Sequence, residues 1–248
     1  MFDSGGSKTN TERPRVIIVE PGADFAELAA RIIAEEIKIA IAARGVCSLM
    51  LSGGTTPRPV YAALVAYGPE GEVDWWNVRF YYADERCVPP DHPDSNYRMT
   101  METLLDPLHV SPAHIERMQA EEPDLAGAAE RYGLALPERI DVLLLGIGED
   151  CHTASLFPGS PALDERSRKV VAVEGPKPPP CRLTITPPVI ANARTIIIMA
   201  SGTGKAAAVA RALEDPYDPH SIPAQLALRG TWVLDREAAS RLRPTPRG

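Results

Sequence analysis

The sequence has only four cysteines, Cys47, Cys87, Cys151 and Cys181, scattered and with no CxxC pair. That excludes a disulfide framework and leaves reduced thiols in a cytoplasmic protein as the expectation. Cys151 and His152 are neighbours but lack zinc-ligand spacing, so no metal is expected. No apolar run approaches the ~20 residues that cross a bilayer. The opening MFDSGGSKTNTERP also lacks the apolar core of a secretory signal. Cations are outnumbered, 26 Lys and Arg against 33 Asp and Glu, for a net charge of −7. That balance argues against nucleic acid or an anionic membrane as partner. It leaves room for a small phosphorylated ligand, which a few local cations can hold. Three motifs are missing as well: the phosphate loop GxxxxGK(S/T), the dinucleotide turn GxGxxG and the serine elbow GxSxG. Nucleotide cofactors and a serine acyl-enzyme therefore have little support.

What is present fits one α/β domain. Hydrophobic residues make up 44% and charged residues 24% of 248, the usage of an ordinary soluble globular protein. The 25 prolines are about double the usual ~5% and fall mostly between apolar runs, as stiff loops would place them. Short apolar runs at 15–19, 46–51, 75–82, 140–145, 169–173, 181–186, 195–200 and 231–234 read as strands. Residues 24–44 carry helical spacing, with Asp24 as N-cap and Gly45 as stop. Further helices are expected after residue 57, over 96–105, 122–136 and 187–193, and over the alanine-rich 206–214. Strands alternating with helices predict a modified doubly wound (Rossmann-like), mostly parallel sheet with helices on both faces. The expected layout is a disordered leader over 1–14, a single domain over 15–240 and a flexible tail over 241–248. Residues 85–136 could form a partly independent insertion. There is no fixed-period repeat.

The chemistry collects where strands end. The run 140–145 leads through Gly146 and Gly148 into Glu149, Asp150, Cys151, His152, Thr153 and Ser155. Open parallel sheets bind ligands at the carboxyl ends of their strands, and a carboxylate beside an imidazole suits proton transfer near neutral pH. A bland reading is available: Asp150 as a helix cap and His152 as a satisfied loop residue. Three other strand ends shift the balance, namely Ser52-Gly53-Gly54-Thr55, Asp84-Glu85-Arg86 and Ser201-Gly202-Thr203-Gly204-Lys205. Each alone is commonplace, as a tight turn or a solvated charge run. Parallel strands, however, bring their carboxyl ends to one edge, so the four should converge. Two of the turns expose backbone N–H groups at a helix start, which favours an anion. Lys205 adds a point charge there, and Arg182 a fork for phosphate oxygens; both could equally be surface residues. Arg86 could stabilise charge developing on an oxygen. These groups permit hydrolysis of an activated ester or proton transfers on a sugar skeleton.

The stretch GIGEDCHTASLFPGSP, with LSGGTTP, DER, SNYRM, KPPPCRLTITPPVI and SGTGK in the same order, resembles the 6-phosphogluconolactonases. The resemblance runs from about the first strand to the last. It implies a fold shared with glucosamine-6-phosphate deaminases and hydrolysis of 6-phosphoglucono-δ-lactone in the oxidative pentose phosphate route, without cofactor or metal. The only partner implied is the phosphorylated lactone, for a monomer or weak homo-oligomer. His152 corresponds to the general base, Asp150 to its orienting carboxylate, and Arg86 with Asp84 to the reacting end. Lys205, Arg182 and Ser155 correspond to phosphate contacts. Ser52, Gly53, Gly54, Thr55 and Asn96 would face the sugar. Cys151 stands where the family usually has glycine; positive φ there would cost a Cβ about 1 kcal/mol. Two alternatives remain in view. One is a deaminase, whose motif instead continues with a nearby acid. The other is a non-catalytic sugar-phosphate-binding domain.

Overall fold

The computed structural model describes residues 14–20, 22–68 and 72–243. The expected leader, apart from Pro14, and residues 244–248 of the expected tail lie outside the described residues. The chain opens with β1 (Arg15–Ile18) and α1 (Phe25–Arg44). Asp24 caps α1 by accepting from Ala26 N and Glu27 N at 2.7 and 3.1 Å, and Gly45 ends it at φ 77°. β2 (Cys47–Leu51), α2 (Pro57–Leu64), β3 (Val78–Tyr82) and β4 (Asp84–Arg86) follow. The expected strand over 75–82 is shorter than its aromatic composition suggests. Trp75–Asn77 form a 3-10 turn because the Asp74 side chain accepts from Trp76 N. α3 (Asn96–Thr100) runs on through a wider π turn, and α4 (Leu125–Ala135) leads to β5 (Val142–Gly146). β6 (Val170–Glu174), β7 (Cys181–Ile185), α5 (Pro187–Asn192), β8 (Thr195–Ala200), α6 (Ala206–Glu214) and β9 (Thr231–Leu234) complete the chain.

Six strands form one sheet in the order β1-β9-β8-β5-β2-β3, every pair parallel. β2 is buried along its whole length, its one polar side chain Ser48 included, and β5 over its first four residues, as strands covered on both faces are. α1 packs against α2, and with this strand order the right-handed rule for parallel crossovers assigns those two to one face and α5 and α6 to the other. The order reverses between β2 and β5, so the carboxyl ends of those two strands open onto a switch-point crevice. At the opposite rim, Asp141 is nearly buried and accepts from Ser48 N and Ser48 Oγ, both at 2.9 Å. Arg44 and Arg194 pair with the same carboxylate at 2.7 and 3.3 Å. This cluster ties α1, β2, β5 and β8 together at their far ends.

The remaining three strands depart from the single-sheet expectation. They form a separate antiparallel sheet, β4-β7-β6. The chain leaves the main sheet at Tyr82 and enters the small one two residues later, across Ala83. Residues 85–136 are bound into the body: Leu104 and Leu105 are fully buried, and Glu116 N donates to Phe80 O at 2.9 Å.

Candidate active site

After β2, the backbone of Ser52 is pinned by Tyr61. Ser52 N donates to the phenol oxygen at 3.0 Å, and the phenol donates to Ser52 O at 2.8 Å. Burial, outweighing those bonds, pushes the Tyr61 pKa well up. Gly53 must be glycine, since a Cβ there would lie 1.8 Å from Asn96 Oδ1. Gly54 takes φ 104°, the left-handed region that glycine favours. Ser52 Oγ is buried with no hydrogen-bond partner among the described residues.

After β5, Gly148 N donates to His152 O at 2.8 Å and Cys151 N to Gly148 O at 2.9 Å, closing a compact turn. The turn sets the imidazole against Asp150, with Nδ1 2.5 Å from Oδ1. An Nδ1–H directed at the carboxylate leaves Nε2 free to accept a proton. Partial burial raises the Asp150 pKa, but the hydrogen bond and charge of His152 outweigh it and hold the carboxyl down to about 2. The ring also packs on Phe157, with centroids 4.7 Å apart. Cys151 does adopt positive φ, 70°, and its side chain is fully buried. Its Sγ accepts from Arg211 Nη1 at 3.4 Å.

The small sheet supplies the facing wall. Successive side chains of a strand point to opposite faces, which divides Asp-Glu-Arg between two tasks. Asp84 and Arg86 face the crevice, while Glu85 turns away to the start of α3. There its buried carboxylate accepts from Arg86 N, Asn96 N, Tyr97 N and Ser95 Oγ at 2.7–3.0 Å. Burial raises the Glu85 pKa despite those bonds. Arg182, opposite Arg86 on β7, donates to Pro179 O and Lys177 O at 3.2 and 3.3 Å and lies 5.5 Å over the Phe157 ring. Burial and the adjacent Arg86 charge lower its pKa. Arg86 Nη1 donates to Asp94 O at 2.7 Å, while its buried Nε has no partner among the described residues.

These pieces enclose a cleft of about 160 Å³. Of the residues singled out from sequence, His152, Arg86, Asp84, Arg182 and Lys205 line it together, as do Ser52, Gly53, Gly54 and Thr55. The imidazole and the Lys205 cation therefore share one cavity, and Lys205 forms no ion pair among the described residues. Three residues lie outside that lining. Asp150 stands beside His152; Asn96 faces an adjoining recess and donates to Asp84 O at 2.8 Å. Ser155 is fully buried, its Oγ donating to Asp84 Oδ2 at 2.6 Å, so it braces Asp84 instead of facing an anion. A larger hollow of about 1770 Å³ runs between α4 and β6 and touches Asp150 and Phe157; the other charged residues along it, Asp124, Glu130, Arg168, Lys169 and Glu174, include none of the cleft's cations. Sequence reasoning missed Glu85, Tyr61 and Phe157. Only strand alternation through 84–86 could have found Glu85, by sending its carboxylate to the face opposite Asp84 and Arg86.

A parallel sheet with an imidazole–carboxylate couple and three cations at its switch point defines an α/β protein whose cleft has the groups to exchange protons beside an anion. Residues 21–234 match the family of glucosamine-6-phosphate isomerases/6-phosphogluconolactonase, and the chain belongs to it. It is 36% identical over 251 residues to a 6-phosphogluconolactonase of Streptomyces coelicolor, covering 94% of this chain and 96% of the relative. The solved 6-phosphogluconolactonase of Trypanosoma brucei superposes with a TM-score of 0.78 at 30% identity, over 93% and 99% of the two chains. A solved monomeric glucosamine-6-phosphate deaminase superposes as well, at 0.79 and 25% identity over 92% and 99%. The fold by itself does not separate the two activities.

Proposed function

We propose that the protein hydrolyses 6-phospho-D-glucono-1,5-lactone to 6-phospho-D-gluconate in the cytoplasm, as a step of the oxidative pentose phosphate pathway. The observation that carries this reading is the 2.5 Å contact of His152 Nδ1 with Asp150, beside a cleft that also holds Arg86, Arg182 and Lys205. In the proposed reaction Nε2 takes a proton from water as its oxygen adds to the lactone carbonyl. The Asp150 carboxylate holds the ring and stabilises the imidazolium that forms. Negative charge grows on the carbonyl oxygen, and the Arg86 guanidinium lining the cleft meets it. The bond from carbonyl carbon to ring oxygen then breaks, and the imidazolium returns its proton to the departing oxygen. Lys205 and Arg182 hold the phosphate; Ser52, Gly53, Gly54, Thr55 and Asn96 face the sugar. Ser155 serves indirectly, by fixing Asp84.

The deaminase reading is disfavoured by the run after the imidazole. Thr153 to Pro158 contains no acid, and the next carboxylate, Asp164, is exposed and paired with His220 at 3.2 Å. Supplying both substrates separates the readings: lactone hydrolysis without ammonia release is expected, and ammonia from the amino sugar alone would overturn the assignment. In His152→Ala, turnover should fall by ~10²–10⁴ while affinity for 6-phosphogluconate stays nearly unchanged. Turnover at the wild-type rate would remove His152 from the reaction.

A further inference from the structure

Two of the four cysteines face each other across the cleft wall. In the β4–β7 pairing Arg86 stands opposite Arg182, and the next rung brings Cys87 opposite Cys181, with Cys87 N donating to Cys181 O at 3.0 Å. Opposed residues of a hydrogen-bonded antiparallel rung lie about 5.5 Å apart at Cα, inside the ~4.4–6.8 Å that a disulfide spans. Both thiols are partly exposed, whereas Cys47 and Cys151 are buried. Strand alternation turns them to the face away from Arg86 and Arg182, so a reagent reaches them without entering the cleft. Burial, and then the adjoining Cys181 thiol, raise the Cys87 pKa.

We propose that Cys87 and Cys181 form a redox-modifiable dithiol, closed to a disulfide by a peroxide, and that closure misaligns the Arg86–Arg182 rung and lowers activity. One thiolate attacks the peroxide and expels hydroxide, giving a sulfenic acid. The second thiol displaces water from it, so two thiols lose two electrons and hydrogen peroxide becomes two waters. Closing the bond draws the two Cβ atoms from about 5 Å to about 3.8 Å. That displacement of roughly 1 Å is passed to the neighbouring rung, where both guanidinium groups line the cleft. Misplacement of catalytic groups by ~1 Å can cost ~10²-fold in rate. A reversible bond of this kind is how thiols in a reducing compartment act as sensors. The loss of activity rests on the function proposed above; formation of the bond does not.

The test is to treat the full chain with hydrogen peroxide, block free thiols, and map peptides without reduction while following kcat/KM. The expected result is one Cys87–Cys181 cross-link, a mass loss of ~2 Da and a fall in kcat/KM of about tenfold or more, both reversed by dithiothreitol. Cys87→Ser and Cys181→Ser should each turn over like the untreated protein and resist peroxide. Free thiols at both positions after treatment would overturn the proposal, as would a cross-linked protein of unchanged kcat/KM. Equal inactivation of Cys87→Ser would do so too, by moving the sensitivity to another residue. If untreated protein fails to hydrolyse the lactone, the proposed function falls while peptide mapping still decides the disulfide.

Discussion

Gly148→Ala replaces one hydrogen by a methyl group, yet it should disable the site. A Cβ at that position would sit 2.1 Å from His152 Nδ1, 2.2 Å from Cε1 and 2.5 Å from Asp150 Oδ1. Ordinary contact begins at 3.4 Å, so the ring or the turn must retreat by at least about 1 Å. The ring has no easy exit, because Phe157 packs against it and the turn is closed by the bond from Gly148 N to His152 O. Either the Nδ1–Asp150 bond lengthens or Nε2 swings away from the lactone carbonyl. A displacement of that size is expected to lower kcat ~10²-fold. Arg182 and Lys205 remain in place, so affinity for 6-phosphogluconate should change by less than about threefold, and Gly148 has no positive φ to add backbone strain. The assay is proton release from the lactone, corrected for spontaneous hydrolysis, beside a calorimetric titration with product. A folded Gly148→Ala protein with wild-type kcat would refute the claim that the imidazole must occupy its observed place.

Asp150→Asn should lower kcat about tenfold with little change in KM, because the imidazolium loses its charged partner; an unaltered kcat would remove Asp150 from the reaction. The depressed pKa of Asp150, about 2, means that its stabilising effect is present above about pH 4 and lost as pH falls toward 2. Because the carboxylate is about one-third exposed, that effect is worth ~1 kcal/mol after screening, and urea midpoints of Asp150→Asn should lack this acid-dependent part. Cys151→Ala keeps the φ of 70° while Cys151→Gly relieves it, so the glycine variant should be the more stable of the two by ~0.5–1 kcal/mol. Equal denaturation midpoints would show that the turn carries no strain. Asp141→Ala should destabilise by ~3 kcal/mol in chemical denaturation, since it strands Arg44, Arg194 and Ser48 at once; a loss below about 0.5 kcal/mol would mean the cluster is incidental.

Much of this architecture was legible because parallel strands advertise themselves locally. Leu143 to Leu145 and Ile196 to Ile198 are apolar on both faces, and only a doubly covered sheet tolerates that. The glycines after β2 and β5 marked the turns, and parallel pairing alone then predicted that their side chains would meet. The small sheet was not legible. A three-residue strand such as β4 carries no period long enough to read, and its partner lies nearly a hundred residues away. Arg182 was singled out for its charge, but not for the strand it faces. Ser155 shows the same limit: its neighbours suggested an anion contact, while its hydroxyl is taken by Asp84, a partner 71 residues distant. Glu85 was overlooked because a carboxylate between Asp84 and Arg86 looks like surface charge until alternation sends it inward.

The Asp141 cluster and the His152 turn stand beyond opposite ends of β5, a five-residue strand about 16 Å long. Perturbations that far apart, with no shared partners, generally combine additively. Substitutions that redesign which sugar phosphate the protein accepts can thus be introduced at one rim while reinforcement is added at the other. A variant library can treat the two ends as separate variables, with little epistasis between them.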